Sequence, residues 1–121
     1  MSNSHTFTFI SRTAPYGSNR PQLCLDAALA AAVFEQKVNY IFMDDGVYQL
    51  VKHQDADAIN SKTLGNALET LDLYGIQNVY VCTTAMKQRK LAADDLVIAA
   101  QSIGDEELKS LLENSNTVFN L

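Results

Sequence analysis

The chain has 121 residues, of which 47% are hydrophobic and 19% charged, and its formal net charge is −5. This length suits residues 1–121 forming a single domain, and the composition is typical of a water-soluble globular protein and not of a disordered chain. The acidic balance disfavours direct nucleic-acid binding, because nonspecific affinity for phosphate comes from clustered Lys and Arg.

The N-terminal segment and the two cysteines bear on the cellular compartment. "MSNSHTFTFISR" has neither a basic leader nor a long apolar segment, and the longest apolar run, Ala27 to Phe34, is too short to cross a bilayer. We therefore expect a cytoplasmic protein without a membrane span. Cys24 and Cys82 fit neither a zinc spacing nor a disulfide framework. In a reducing compartment both are expected to be free thiols, with no metal and no organic cofactor.

The first third of the chain alternates between strand and helix patterns. Thr6–Ser11, "TFTFIS", is rich in β-branched and aromatic residues and predicts a strand. A turn-rich loop, "RTAPYGSNRP", leads to a helix predicted over Gln22–Gln36, with Pro21 tolerated at its first turn. Val38–Met43, "VNYIFM", is a nearly continuous apolar run, as expected for a strand covered on both faces. "DDGVYQL" then turns away from the sheet.

The middle of the chain repeats this alternation. Thr63–Tyr74 has a helical apolar stripe, and Gly75 stands at its expected C-terminal end. Asn78–Cys82 predicts the next strand, and Thr84–Lys90 a short helix.

The last part of the chain completes the predicted fold. Asp94–Ala100 predicts a weak strand, Asp105–Asn114 a helix with Asp105 as its N-cap, and Thr117–Leu121 a closing strand. Strands that alternate with helices require crossover connections. The sequence therefore predicts an α/β fold: a mostly parallel sheet of about five strands with helices on both faces.

In such sheets, ligands and reactions lie beyond the carboxyl ends of the strands. Three segments fall there: "RTAPYGSNR", "DDGVYQL" and "CTTAMKQRK". A separate feature is the helical segment Leu23–Phe34, which is apolar nearly all round, with Asp26 as its one charge. A surface helix normally has a polar face. This segment either packs tightly on the sheet through small residues or is covered by another subunit, and we favour an oligomer.

Cys82 has two interpretations. If Thr83 or Thr84 caps the following helix, the thiol lies near the positive end of a helix dipole, where a thiolate nucleophile is favoured. Such a thiolate attacks a persulfide and holds the transferred sulfur. Lys87 and Arg89 follow closely enough to assist. The alternative is a buried thiol at a strand end, and spacing alone favours this alternative.

The other candidate residues favour structural roles. Cys24 lies in the apolar helix and is predicted to be core, and neither His5 nor His53 forms a convincing Cys–His pair with a cysteine. Asp44 and Asp45 invite a magnesium site, but they follow the second strand, and the motif for phosphoryl transfer is absent. We expect Asp45 to begin the turn and to cap its first helical turn.

Two further segments have polar or basic patterns. "SRTAPYGSNR" could be a phosphate cradle, but it lacks a G-x-G-x-x-G or P-loop pattern, so a structural or partner-facing loop is the better interpretation. The competing class for the whole chain is a flavodoxin-like nucleotide-binding protein using Arg12 to Arg20. The basic group "KQRK", Lys87–Lys90, is expected to be a solvated helix face.

At these same loops the sequence resembles the DsrE/DsrF/DsrH family, and within it the TusC (DsrF-type) subunits. The resemblance rests on "SRTAPYG", with Arg12 inserted between the serine and threonine of the family pattern, and on "DDGVYQL", "LDLYGIQNVYVC" and "CTTAMKQRKL". It extends from Thr6 to Leu121.

The resemblance implies a flavodoxin-like fold and assembly with TusB-like and TusD-like paralogous subunits into a heterohexamer. It further implies that the complex relays persulfide sulfur from a TusA-like donor to a TusE-like acceptor, toward 2-thiolation of the tRNA wobble uridine. In sulfur-oxidising bacteria the corresponding complex works instead with the dissimilatory sulfite reductase system.

In the TusD/DsrE-type subunit, the sulfur-carrying cysteine lies in a C-x-x-x-x-x-x-R motif at the end of this strand. Cys82 and Arg89 fall on that pattern here. The resemblance therefore implies Cys82 as a tentative nucleophile with Arg89 in support. Because TusC-type subunits are viewed as structural partners of the active subunit, it also implies a mainly partner-positioning role.

Overall fold

Five parallel strands form one sheet in the computed structural model of the chain, which describes residues 5–14, 19–34, 36–51, 69–76, 78–96, 98 and 100–120. The strands are β1 (Thr6–Ser11), β2 (Lys37–Phe42), β3 (Asn78–Cys82), β4 (Gln101–Ile103) and β5 (Thr117–Asn120). Their order across the sheet is β4-β3-β2-β1-β5, and each neighbouring pair runs parallel.

Helices connect these strands. The α-helices within the described ranges are α1 (Arg20–Val33), α2 (Thr83–Gln88) and α3 (Asp105–Glu113), and 3-10 helices cover Asp44–Leu50, Glu69–Tyr74 and Ala93–Asp95. From β1 to β4 the chain steps in one direction, whereas β5 returns to the far side of β1. Because such crossovers are right-handed, α1 and α3 lie on opposite faces. The predicted α/β class, a mostly parallel sheet with helices on both faces, is confirmed. The direction in which successive strands are added reverses between β1 and β5, whereas in flavodoxin it reverses between the first and third strands.

The core lies mainly between the sheet and α1. Val38, Tyr40, Ile41 and Phe42 of β2 are all buried, so this central strand is covered on both faces as its apolar run predicts. From α1, the residues Cys24, Leu25 and Ala28 are buried against the sheet. Small and branched side chains at these positions allow the helix to pack close to the strands.

Helix α1 begins before its predicted start at Gln22 and ends before its predicted end at Gln36. Pro21 lies in its first turn as expected, because a missing N–H costs nothing there. The helix ends at Val33 and not at Gln36, since the Gln36 side-chain oxygen accepts the His5 N–H at 2.8 Å and ties this segment to the start of β1. Among the described residues, none of the helices has the length and hydrophobicity of a membrane span.

The predicted strand over Asp94–Ala100 is wrong. The edge strand is Gln101–Ile103; the described residues of Asp94–Ala100 contain no strand, and residues 97 and 99 lie outside the described ranges. Leu96 is buried and forms an isolated antiparallel bridge with Val51. Leu96 is therefore paired with a residue distant in the chain through a single bridge and not through a strand.

The helix predicted over Thr63–Tyr74 is only partly within the described residues. Its first half, residues 63–68, lies outside them, and the rest is a 3-10 helix over Glu69–Tyr74 with Leu71 buried. Gly75 has φ 80°, a left-handed conformation that glycine adopts without steric cost, so the predicted helix end is confirmed.

The N-cap of α3 is Gly104 and not Asp105, so that prediction is wrong. The Glu107 carboxylate accepts the Gly104 N–H at 3.4 Å, and Asp105 lies within the first turn. Carboxylates in a first turn are favoured by the helix dipole. The predicted helix itself is confirmed, as is the closing strand β5.

A close backbone approach joins the loop after β2 to the end of β1. A Cβ atom added at Gly46 would lie 2.0 Å from the carbonyl oxygen of Ser11 and 2.7 Å from its carbonyl carbon. Both contacts are with backbone atoms, so no side-chain rotation relieves them. Only glycine fits at this position.

Replacing Gly46 with Ala is expected to lower the free energy of unfolding by about 1–3 kcal/mol or more, because the strand and the loop must separate to admit the methyl group. Urea unfolding of the purified protein measures this. Gly104→Ala is the matched control, since nothing lies within 4 Å of an added Cβ there. Equal losses in the two variants would contradict the close approach.

Candidate functional site

Three loops meet at the carboxyl edge of the sheet, as the sequence predicts. The first follows β1 at Ser11, the second is the 3-10 helix Asp44–Leu50 after β2, and the third is Cys82 with helix α2 after β3. The middle loop contacts both of its neighbours. It therefore sets the geometry of the whole edge.

Polar contacts join the middle loop to the first. The Arg12 Nε donates to Asp44 Oδ2 at 3.0 Å. The buried Gln49 Nε2 donates to Ser11 Oγ at 2.6 Å and to the Thr13 carbonyl at 2.8 Å. A buried amide that loses its hydrogen-bond partners cannot bind water instead, whereas the groups of an exposed ion pair can. The Gln49 hydrogen bonds therefore stabilise this junction more than the ion pair does.

Arg89 joins the middle loop to the third. Its Nη2 donates to Asp45 Oδ1 at 2.9 Å and its Nε to the same oxygen at 3.3 Å. Its Nη1 donates to the Ala85 carbonyl at 3.2 Å, and its guanidinium carbon lies 5.8 Å from the centroid of the Tyr48 ring. These contacts combine an ion pair, a helix-end hydrogen bond and a cation–π contact.

Cys82 is the last residue of β3 and the N-cap residue of α2. It is a free thiol with 6% of its surface exposed. The expectation that Thr83 or Thr84 caps this helix is wrong, since Thr83 is already its first residue and no side chain caps it. The strand passes directly into the helix, which leaves no room for a separate cap.

Two other predictions have clear outcomes, and a third has none. Asp45 neither begins nor caps the helical turn, which starts at Asp44 with Met43 as its N-cap; the Asp45 carboxylate binds Arg89 instead. Lys87 and Lys90 are exposed as expected for the basic group, whereas Arg89 is largely covered. The role of Arg89 in support of Cys82 stays a prediction.

Residues of the first loop remain partly outside the described ranges. Arg12 binds Asp44 and also donates to Asn120 Oδ1 at 3.5 Å, beside the end of β5. Residues 15–18 of the phosphate-cradle hypothesis, and His53, are among those not described. Asp44 and Asp45 are each paired with an arginine, so their carboxylates point toward separate partners.

Cys24 lies in a sealed polar cluster with Tyr40 and Ser11, and its predicted core position is confirmed. Burial raises the pKa of the Cys24 thiol above its ordinary value of 9.0, although its contacts with Tyr40 and Ser11 act in the opposite direction. Burial, and then the nearby Cys24, raise the pKa of Tyr40 well above 10.0. Both groups therefore stay neutral near pH 7.

Sequence reasoning missed Tyr48 and Gln49. Both belong to "DDGVYQL", which the sequence predicts only as a turn, without contacts for these side chains. The one available signal was spacing: in a 3-10 helix, residues three apart share a side, which places Asp45 and Tyr48 together. Nothing in the sequence indicated that Gln49 points inward, because glutamine is mostly exposed.

Fold and site together define a small doubly wound α/β domain with a nearly buried thiol at its carboxyl edge. The DsrE/DsrF-like family model matches residues 5–121, and the chain belongs to that family.

Relatives of this chain share most of its length. It is 39% identical over 112 residues to a protein TusC homolog of Vibrio parahaemolyticus, which covers 93% of this chain and 95% of that protein. It is 38% identical over 102 residues to the intracellular sulfur oxidation protein DsrF of Allochromatium vinosum, covering 84% and 75%. The crystal structure of the YchN protein from E. coli has the same fold, with a TM-score of 0.78 at 21% identity over 97% of this chain and 99% of that one.

The raised pKa values of Cys24 and Tyr40 predict a loss of stability in alkali. The folded state holds these protons more tightly than the unfolded state, so their contribution is complete below about pH 9 and is lost as pH rises. Each group adds a slope of up to about 1.4 kcal/mol per pH unit in that window.

Urea unfolding between about pH 8 and pH 10.5 tests this linkage. Tyr40→Phe is expected to decline less steeply with pH than the unmodified protein, because it removes one titrating group at nearly constant volume. Tyr74→Phe, which removes a hydroxyl from an exposed side chain, serves as the control and should leave the slope unchanged. Parallel slopes for all three proteins would contradict the prediction.

Proposed function

We propose that this chain is a subunit of a heteromeric sulfur-relay complex that passes persulfide sulfur toward 2-thiolation of the tRNA wobble uridine. Its role there is mainly to bind and position paralogous subunits. The observation that carries the proposal is the similarity to proteins called TusC homologs over nearly the whole chain. It includes the loops at the carboxyl edge, where the site lies.

The proposed partners are TusB-like and TusD-like subunits in a heterohexamer, with a TusA-like donor and a TusE-like acceptor acting through the complex. Large apolar side chains left exposed on the single chain support partner binding: Leu23, Val33, Phe34, Leu73, Tyr74, Val118 and Phe119. Three of these exposed side chains belong to α1 or its end: Leu23 and Val33 lie in the helix, and Phe34 directly follows it. This agrees with the lack of a polar face on α1. The acidic net charge supports a subunit that does not touch tRNA itself.

The burial of Cys82 supports the positioning role over the carrier role. For sulfur to be carried here, the Cys82 thiolate must attack the outer sulfur of a donor persulfide. A new S–S bond then forms at Cys82, the donor's S–S bond breaks, and the donor leaves as a thiolate. A thiol with so little exposed surface meets such a donor only after local opening.

A second candidate function is that of a DsrF-type subunit in dissimilatory sulfur oxidation. The similarity to the sulfur oxidation protein DsrF favours it, at nearly the same identity as the TusC homologs. Both candidates use the same fold and the same site. The two are separated by the cell's tRNA: loss of 2-thiouridine on deletion of this gene supports the first and retention supports the second.

Replacing Cys82 with Ser is expected to leave the paralogous subunits bound and to keep at least about half of the tRNA 2-thiouridine, because the sulfur-carrying cysteine is proposed to lie on a partner. Affinity purification from the native cell and nucleoside mass spectrometry measure the two quantities. Complete loss of thiouridine with an intact complex would instead make Cys82 a carrier.

Replacing Phe34 with Glu is expected to abolish recovery of the paralogous subunits while changing the free energy of unfolding by less than about 0.5 kcal/mol, since Phe34 is 75% exposed. Gln88→Glu adds the same charge at an exposed position of α2 and should retain the partners. Full recovery of partners with Phe34→Glu would remove this end of α1 from the proposed interface.

A further inference from the structure

We infer that Asp45 and Tyr48 are positioning residues for Cys82 and that they act through Arg89, which clamps helix α2 onto the loop after β2. The inference deepens the proposed function, because it concerns how this chain holds the thiol at the carboxyl edge. It assigns Arg89 a mechanical role in place of the direct electrostatic one that the C-x-x-x-x-x-x-R spacing implies.

The clamp is built on one side of a 3-10 helix. In this geometry there are three residues per turn, so side chains at i and i+3 lie one above the other. Asp45 and Tyr48 have this spacing within Asp44–Leu50, and the Arg89 guanidinium contacts both of them. A planar guanidinium can bind a carboxylate at its edge and an aromatic ring at its face together, which lysine cannot reproduce.

Arg89 lies at the opposite end of α2 from Cys82. The helix has six residues, with Cys82 as its N-cap and Arg89 as its C-cap, and it is about 9 Å long at 1.5 Å per residue. Strand β3 fixes the Cys82 end through its pairing with β2. The Arg89 contacts fix the other end, and the buried Ala85 and Met86 fill the space beneath. A helix this short has little stability of its own, so its position depends on these attachments.

The Arg89 guanidinium is already paired with the Asp45 carboxylate. Two of its nitrogens donate to the same Asp45 oxygen, and its side chain is only 18% exposed. A thiolate at Cys82 would have to compete with that carboxylate for the guanidinium. Asp45 therefore holds Arg89 in place, and Arg89 in turn holds the C-terminal end of α2 against the loop after β2. This attachment keeps the Cys82 thiol covered.

The clamp and the direct-cation role give opposite results for Arg89→Gln. If Arg89 tethers α2, its loss frees the helix, exposes Cys82 and speeds alkylation of the thiol. If Arg89 stabilises the thiolate directly, its loss slows alkylation. The measurement is the iodoacetamide rate at each cysteine of the full chain, followed by peptide mass spectrometry. Cys24 is an internal reference, because it is fully buried elsewhere and reacts only when the whole domain opens.

We expect Arg89→Gln and Asp45→Asn each to raise the Cys82 rate at least threefold with the Cys24 rate unchanged. The double variant should be no faster than Arg89→Gln alone, since both changes remove one tether. Tyr48→Leu should give a smaller increase, and Asp45→Glu, which keeps a carboxylate, should stay near the unmodified rate. Asp44→Asn is the matched control: it changes the neighbouring carboxylate, which is about as exposed as that of Asp45 but pairs with Arg12, and it should leave the Cys82 rate unchanged.

A lower or unchanged Cys82 rate in Arg89→Gln would overturn the inference, as would an equal increase in Asp44→Asn. A parallel increase at Cys24 would also overturn it, because the domain would then open as a whole. None of these results depends on sulfur relay. Retained thiouridine after deletion of the gene would remove the proposed tRNA function and leave the clamp standing.

Discussion

The arrangement of the carboxyl edge depends on the contact between the loop after β2 and the end of β1. Gly46 lies against the Ser11 carbonyl so closely that no side chain fits between them. This approach places Asp44 and Asp45 on either side of the contact, where one carboxylate meets Arg12 and the other meets Arg89. Two adjacent acidic residues thus connect three loops, and the close backbone approach at Gly46 fixes the first two of these loops against each other.

Apolar burial contributes more to this arrangement than the ion pairs do. Val47 and Leu50 belong to this loop and are fully buried. Burial of each side chain contributes about 1.5–3 kcal/mol to the free energy of unfolding relative to an exposed side chain. The carboxylates of Asp44 and Asp45 are more than half exposed, and such pairs contribute about 0–1 kcal/mol. The core therefore fixes where the loop lies, and the ion pairs fix how its neighbours are oriented. This division is the reason that loss of the proposed clamp is expected to free one end of α2 without unfolding the domain.

Sequence patterns predict the features that arise from local chemistry. The strands β1, β2 and β3 are within one residue of their predicted bounds, because β-branched and aromatic runs between turn residues are strong local signals. The position of Cys82 at the carboxyl edge follows from the same signals. The pair between Asp45 and Arg89 joins residues 44 positions apart, and no local pattern encodes it. Long-range packing also decides that Leu96 is buried by a bridge and not by a strand, and that Cys82 is the N-cap residue of α2.

The edge strand β5 carries apolar side chains that are only partly covered within the chain. Phe119 of β5 stacks on Phe9 with ring centroids 4.9 Å apart and on Phe7 at 6.1 Å, yet it keeps 41% of its surface exposed on an edge strand. Isolated chains normally protect such edges with charge or proline. A strand that retains Val118 and Phe119 in that position is better matched to coverage by a neighbouring subunit than to solvent. The two proposals thereby use different edges of the chain: the clamp acts on Cys82 at the carboxyl edge, and the proposed partner surface includes Val118 and Phe119 of β5.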